Sequence, residues 1–304
     1  MPELMRKMLF FAIAPLAFML LQPALQASGP VTRQSALEEM LDQTMMALYA
    51  FEFEKADSIS REMQTMAPGH YLGHFTRANY LWWLIVTNPP DEDLEHAYAS
   101  AVRQAQESIP SGTGFGLKPD ELFYSINIYA IQARLSLKNK EYITTLRQLR
   151  AGVVHVAASG GQETAHHGLY LTSGLYQYMF GYVQQRYPLL KLVTRSYPDG
   201  NVEQGLQYLL LAAASDNPVW QTEAHYLLMK IFLEMELMPQ AASEHSNWLT
   251  QKYPGNLVFL KYRYRVFKAL NDADAMHNTK AQIRKQAIAQ PGLTAAQRRF
   301  FLGE

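Results

Sequence analysis

Gln221–Asn256 reads Q-T-E-A-H-Y-L-L-M-K-I-F-L-E-M-E-L-M-P-Q-A-A-S-E-H-S-N-W-L-T-Q-K-Y-P-G-N, and this stretch decides the fold. Tyr226, Met229, Ile231 and Leu233 recur at helical spacing, and so do Ala241, Ala242, Trp248 and Leu249 further on. Between the two runs Pro239 suits a first helical turn, where its missing N–H costs nothing. Pro254 stops the second run before another begins. The expectation is two antiparallel helices joined by a tight turn, with small Ala242 allowing their close approach.

The same signature occurs near the start of the chain. Ser35–Tyr49 and Lys55–Met66 form a helix pair closed by Ala67-Pro68-Gly69, and Ala56 precedes Pro68 by the spacing that separates Ala242 from Pro254. Two occurrences of one spacing indicate an internal repeat.

This pattern resembles the tetratricopeptide repeat (TPR), a helix pair of about 34 residues. With Ala242 and Pro254 at its small and proline positions, Tyr226, Met229 and Leu233 take its large apolar positions. Lys230 stands at a site that usually takes a small residue, and Ser246 replaces a usual aromatic. The order Gly174-Leu175-Tyr176-Gln177-Tyr178, an apolar loop, Gly205-Leu206-Gln207-Tyr208-Leu209 and then Glu223–Leu228 also resembles TPR proteins of Gram-negative bacterial envelopes. The resemblance covers about Leu41 to Leu270. It implies an all-α fold, a right-handed superhelix of antiparallel helix pairs, and an interaction function without a specific partner.

Working outward, helices are expected over Tyr71–Val86, over Glu92–Ser108 with Asp91 as cap, and from Asp120 to Leu137. Further helices are expected over Glu141–Val156, Glu163–Arg186, Asn201–Ala214, Leu257–Leu270 and Asp272–Gln290. No alternating apolar run suggests a sheet. The repeat domain is bounded at 28–290, and 291–304 is read as a polar tail containing Phe300, Phe301 and Leu302.

Arg6 and Lys7 precede the apolar run Met8–Leu21, and small Ala27 precedes Ser28. A basic, apolar and small-residue order describes a secretory signal peptide over residues 1–27, and the expected location is the periplasm. A retained anchor is the alternative. The 304 residues are 48% hydrophobic and 18% charged, sufficient for a substantial core. There is no cysteine, so disulfides, thiolate metal sites and a cysteine nucleophile are excluded. Zero formal net charge offers no global attraction to nucleic acid or anionic membrane.

Candidate chemistry is sparse. His70 and His74 lie four apart on a helix, but spacing suggests no third metal ligand. Adjacent His166 and His167 point about 100° apart on a helix and are read as structural. Gly112-Thr113-Gly114-Phe115-Gly116 follows no strand and is read as an inter-repeat loop rather than a phosphate cradle. Glu107-Ser108 followed by Gly116-Leu117 is superficially similar to lytic transglycosylase elements. The interval is too short, and a glutamate general acid needs burial to keep its proton. No enzyme activity, cofactor or metal is expected.

The leading expectation is a scaffold holding a protein or peptide partner in the superhelix groove. A ligand-binding accessory subunit of a periplasmic transport system, associated peripherally with the membrane, is the alternative. Tyr178 and Tyr182 belong to an aromatic stripe that is either core or groove lining. Leu189 and Leu190 lie in the apolar Pro188–Val193 connection and are expected to form a lip or partner contact. In the last pair, Leu257, Leu260, Tyr264 and Phe267 are expected to be buried. Lys261, Arg265 and Lys268 form an adjacent basic stripe. The resemblance to peptide-clamping TPR domains implies that this stripe holds an acidic or C-terminal carboxylate, with Asn79 as polar partner and Trp82 nearby.

Overall fold

The computed structural model describes residues 33–109, 116–186 and 199–303. Among these residues there are thirteen helices and no strand. In order they are α1 (Arg33–Tyr49), α2 (Phe53–Met66), α3 (Tyr71–Thr87), α4 (Glu92–Ser108), α5 (Pro119–Lys138), α6 (Tyr142–Ser159) and α7 (Leu169–Arg186). Then come α8 (Val202–Ala213), α9 (Pro218–Glu234), α10 (Pro239–Lys252), α11 (Leu257–Leu270), α12 (Ala273–Ala289) and α13 (Ala295–Leu302). The protein is all-α, and sequence neighbours pack as pairs: α1 with α2, α5 with α6, α7 with α8, and α11 with α12.

Four turns share one backbone geometry. Phe51, Lys140, Leu237 and Asn271 are the non-glycine residues with positive φ among those described, at 64°, 64°, 55° and 56°. Each is followed by one cap residue (Glu52, Glu141, Met238 or Asp272), and the next helix begins at once. The left-handed region costs an L-residue roughly 1 kcal/mol, so its recurrence at corresponding places marks a shared way of reversing the chain. Leu237 and Asn271 stand 34 residues apart.

The described residues divide into two units, one within 106–224 and the other joining 33–105 to 225–303. In the second unit Ala56 and Ala242 are fully buried, the place expected of small residues between close helices. The helices α2 and α10 end alike: the N–H of Ala67 donates to Met63, and that of Tyr253 to Leu249, before Pro-Gly. The first pair also meets the last elements. Tyr49 packs on Tyr253 at 5.4 Å and Phe259 at 6.3 Å, and Phe51 lies 6.1 Å from Phe301. Gln297 Nε2 donates to Thr87 Oγ1 at 3.0 Å. Repeats that touched only their sequence neighbours would not make these contacts.

In the first unit α7 crosses α8 at glycine. A Cβ on Gly205 would overlap the backbone of Tyr178, so only glycine lets the helices approach this closely. Local reasons also move several boundaries. The helix α5 starts at Pro119 rather than Asp120, because proline suits its first position and Glu121 accepts from the Lys118 N–H at 2.9 Å. Asn217 Oδ1 accepts from the N–H groups of Val219 and Trp220, so α9 begins at Pro218. The helix expected from Glu163 begins at Leu169, after a series of turns.

The segment read as a polar tail is largely helical. Thr294 and Gln297 form a reciprocal capping box that starts α13, and Phe301 and Leu293 are buried. The expected leader (1–27), the glycine loop except Gly116, and the Pro188–Val193 connection with Leu189 and Leu190 lie outside the described residues.

Candidate functional site

The basic stripe lies on α11, which Asn256 starts by accepting from the N–H groups of Val258 and Phe259, each at 3.0 Å. The buried face of this helix is Leu257, Phe259, Leu260, Tyr262 and Val266. Tyr264 and Phe267, expected in the core, are only half-buried. The apolar face is rotated because Phe259 and Tyr262 meet aromatic partners: Phe259 packs on Trp83 and Tyr226, and Tyr262 on Tyr226.

That rotation changes the setting of the three basic residues. Lys261 Nζ lies 4.2 Å from the Phe300 ring centroid and 4.7 Å from that of Phe301, a cation–π seat provided by α13. Burial holds its pKa below the ordinary lysine value. Arg265 Nη2 pairs with Glu234 Oε1 at 2.7 Å, and its guanidinium lies 4.9 Å from the Tyr262 ring centroid. Only Lys268 of the stripe is exposed. Two of the three cations are therefore held by the protein's own groups.

Behind them Lys230 is fully buried, its Nζ 5.5 Å from the Tyr226 ring centroid and 5.8 Å from that of Tyr262. Burial foremost, and then the Glu234 charge, push the Tyr262 phenol up to about 12. The site at which the sequence resemblance expects a small residue thus holds a long cation among tyrosines.

The remaining candidates separate. Asn79 is fully buried and donates to the Phe75 carbonyl at 2.9 Å, so it is no polar partner for a groove ligand. Trp82 is 1% exposed and packs on Tyr98 at 5.5 Å. Both are core because α3 is buried on nearly every side. Tyr178 and Tyr182 belong to the other unit. Tyr178 is fully buried, and half-buried Tyr182 stacks on it at 5.9 Å.

His70 serves as the cap of α3, its Nδ1 accepting from the Leu72 N–H at 3.2 Å. Buried His166 stacks on Phe123 at 5.1 Å, and burial lowers its pKa to about 4, while His167 is exposed beside Tyr170. Glu107 is exposed, unlike a glutamate held for acid catalysis.

One grouping escaped the sequence. His225 on α9 and His245 on α10 place their Nδ1 atoms 2.9 Å apart. Trp248 stacks on His225 at 3.9 Å and 9°, and Phe232 on His245 at 5.7 Å and 8°. Lys252 Nζ lies 4.5 Å from the Trp248 ring centroid. Burial foremost lowers His225 to about 3 and His245 to about 4. The available signal was symmetry: each histidine lies ten residues from Met235, at the hinge of the pair.

No group of three or more His, Cys, Asp or Glu placed for a metal occurs among the described residues. No described helix is long and apolar enough to cross a membrane. No family model, curated protein or solved structure matches the chain.

Proposed function

We propose that the chain is a non-enzymatic, TPR-like scaffold that binds a protein or peptide partner in the bacterial periplasm. Its helix pairs would form a right-handed superhelix. The four left-handed turns, two of them at the 34-residue TPR period, support the repeat reading. The basic, apolar and small-residue order of residues 1–27 supports export.

The observation that carries the binding reading is at the α9–α10 turn. Leu237 adopts φ 55° while 66% exposed, and adjacent Met238 is 51% exposed. The left-handed turn reverses the chain here as at the other three, but an apolar pair left exposed at it gains little from packing in the free protein and offers a contact to a partner. Lys268, exposed in the same unit, supplies a cation for an acidic group on the partner.

Envelope extract passed over the immobilised protein tests this reading. Changing Leu237 and Met238 to serine should remove a partner retained by the wild type while leaving helicity intact. Retention of the same proteins by both forms would reject the turn as the contact.

A further inference from the structure

We propose that His225 and His245 chelate a divalent transition-metal ion through both Nδ1 atoms, with square-planar or octahedral preference. The separation of those atoms carries the choice. Imidazole nitrogen sits about 2.0–2.1 Å from such a metal, so two nitrogens 2.9 Å apart subtend about 90° at the ion. A tetrahedral centre would need them about 3.3 Å apart at the same bond lengths. Right-angled nitrogen ligation suits Cu2+ and Ni2+, and Cu2+ stands highest in the usual affinity order.

The surroundings suit two neutral rings converging on one ion. In the metal-free pair one Nδ1–H donates to the other Nδ1, so one lone pair already points into the gap. Metal binding requires the donating ring to carry its proton on Nε2 instead, a tautomer change with no proton lost. It also requires both rings to turn until their lone pairs meet at the ion. That turning occurs about each Cα–Cβ and Cβ–Cγ bond, so the stacked rings of Trp248 and Phe232 shift with it. Water would fill the other positions, because no third His, Cys, Asp or Glu joins the pair among the described residues. The ammonium of Lys252, on the Trp248 ring, places a positive charge near the ion and weakens its binding.

The full chain, stripped of metal with EDTA, is titrated with Cu2+ while tryptophan emission is followed. Trp248 stacks on a ligand ring and should be quenched saturably by one equivalent. His225→Gln and His245→Gln should each weaken binding at least tenfold, Trp248→Phe should remove the quenching, and Lys252→Met should tighten binding several-fold. Zn2+ should bind more weakly than Cu2+. Electron paramagnetic resonance of the wild-type copper complex should show two equatorial imidazole nitrogens, a readout that does not depend on a variant folding. Fewer than two nitrogens, or equal Cu2+ affinity in the wild type and folded single variants, would overturn the proposal.

Discussion

Asn256 Nδ2 donates to the main-chain carbonyl of Tyr49 across 2.9 Å, joining residues 207 positions apart. The same side chain caps α11 through its oxygen, so one fully buried amide both starts the last large pair and ties it to the first. Asn256→Ala should cost about 2–3 kcal/mol, combining loss of a cap with loss of a buried hydrogen bond. Asn256→Asp keeps a capping oxygen but lacks the donor, and should also destabilise by at least about 1 kcal/mol. Urea unfolding midpoints check this; an aspartate variant as stable as wild type would leave capping as the residue's sole contribution.

Leu237 should behave oppositely. Asparagine tolerates the left-handed region better than leucine, and this site is 66% exposed. Leu237→Asn should raise stability by about 0.5–1 kcal/mol. Phe51 adopts the same conformation but is 4% exposed and packs on Trp83 at 6.0 Å. Phe51→Asn should therefore destabilise by about 3 kcal/mol or more, since buried aromatic contacts outweigh relief of strain. Thermal melting of the two variants reads both signs.

Gly205→Ala should destabilise the first unit by about 2–3 kcal/mol, because the added methyl meets the Tyr178 backbone rather than a movable side-chain tip. Gly160→Ala is the control, as its Cβ would meet nothing nearer than the Ala157 carbonyl at 3.6 Å. Unfolding curves of equal midpoint for the two variants would contradict the close α7–α8 crossing.

Acid should unfold the protein partly through its histidines. His225 and His245 have folded pKa values of about 3 and about 4, below the ordinary 6.5. Between those limits the unfolded chain holds protons that the folded chain does not, so this contribution is complete above about pH 6.5 and is lost as pH falls toward about 4. Replacing both by glutamine should flatten the dependence of stability on pH near pH 5, by up to about two protons. An unchanged slope would mean that the pair is protonated alike in both states.

The helices were legible because their apolar residues recur at helical spacing, and α11 was bounded correctly at Leu257–Leu270. Which side of a helix is buried was harder to read. In α11 the aromatic residues are spread around the helix, and the partners of Phe259 and Tyr262, on α3 and α9, decide the register. Asn79 and Trp82 enter as candidates through the resemblance to peptide-clamping repeats, whereas packing against several neighbours buries α3 nearly all round. The His225–His245 pair was invisible to a search along one helix, since its members come from opposite sides of a turn. The α13 capping box could have been read from Thr294 and Gln297, but the surrounding polar residues concealed a helix with one buried phenylalanine.

Partner contact at the α9–α10 turn is tested most directly by a photo-crosslinking amino acid at Met238 in cells that express and export the protein. A discrete protein adduct is expected from Met238, weakened by added salt and diminished by Lys268→Glu. Glu62, exposed on α2, gives the comparison position and should yield no such adduct. No adduct from Met238, or the same adducts from Met238 and Glu62, would contradict the claim that this turn binds a partner.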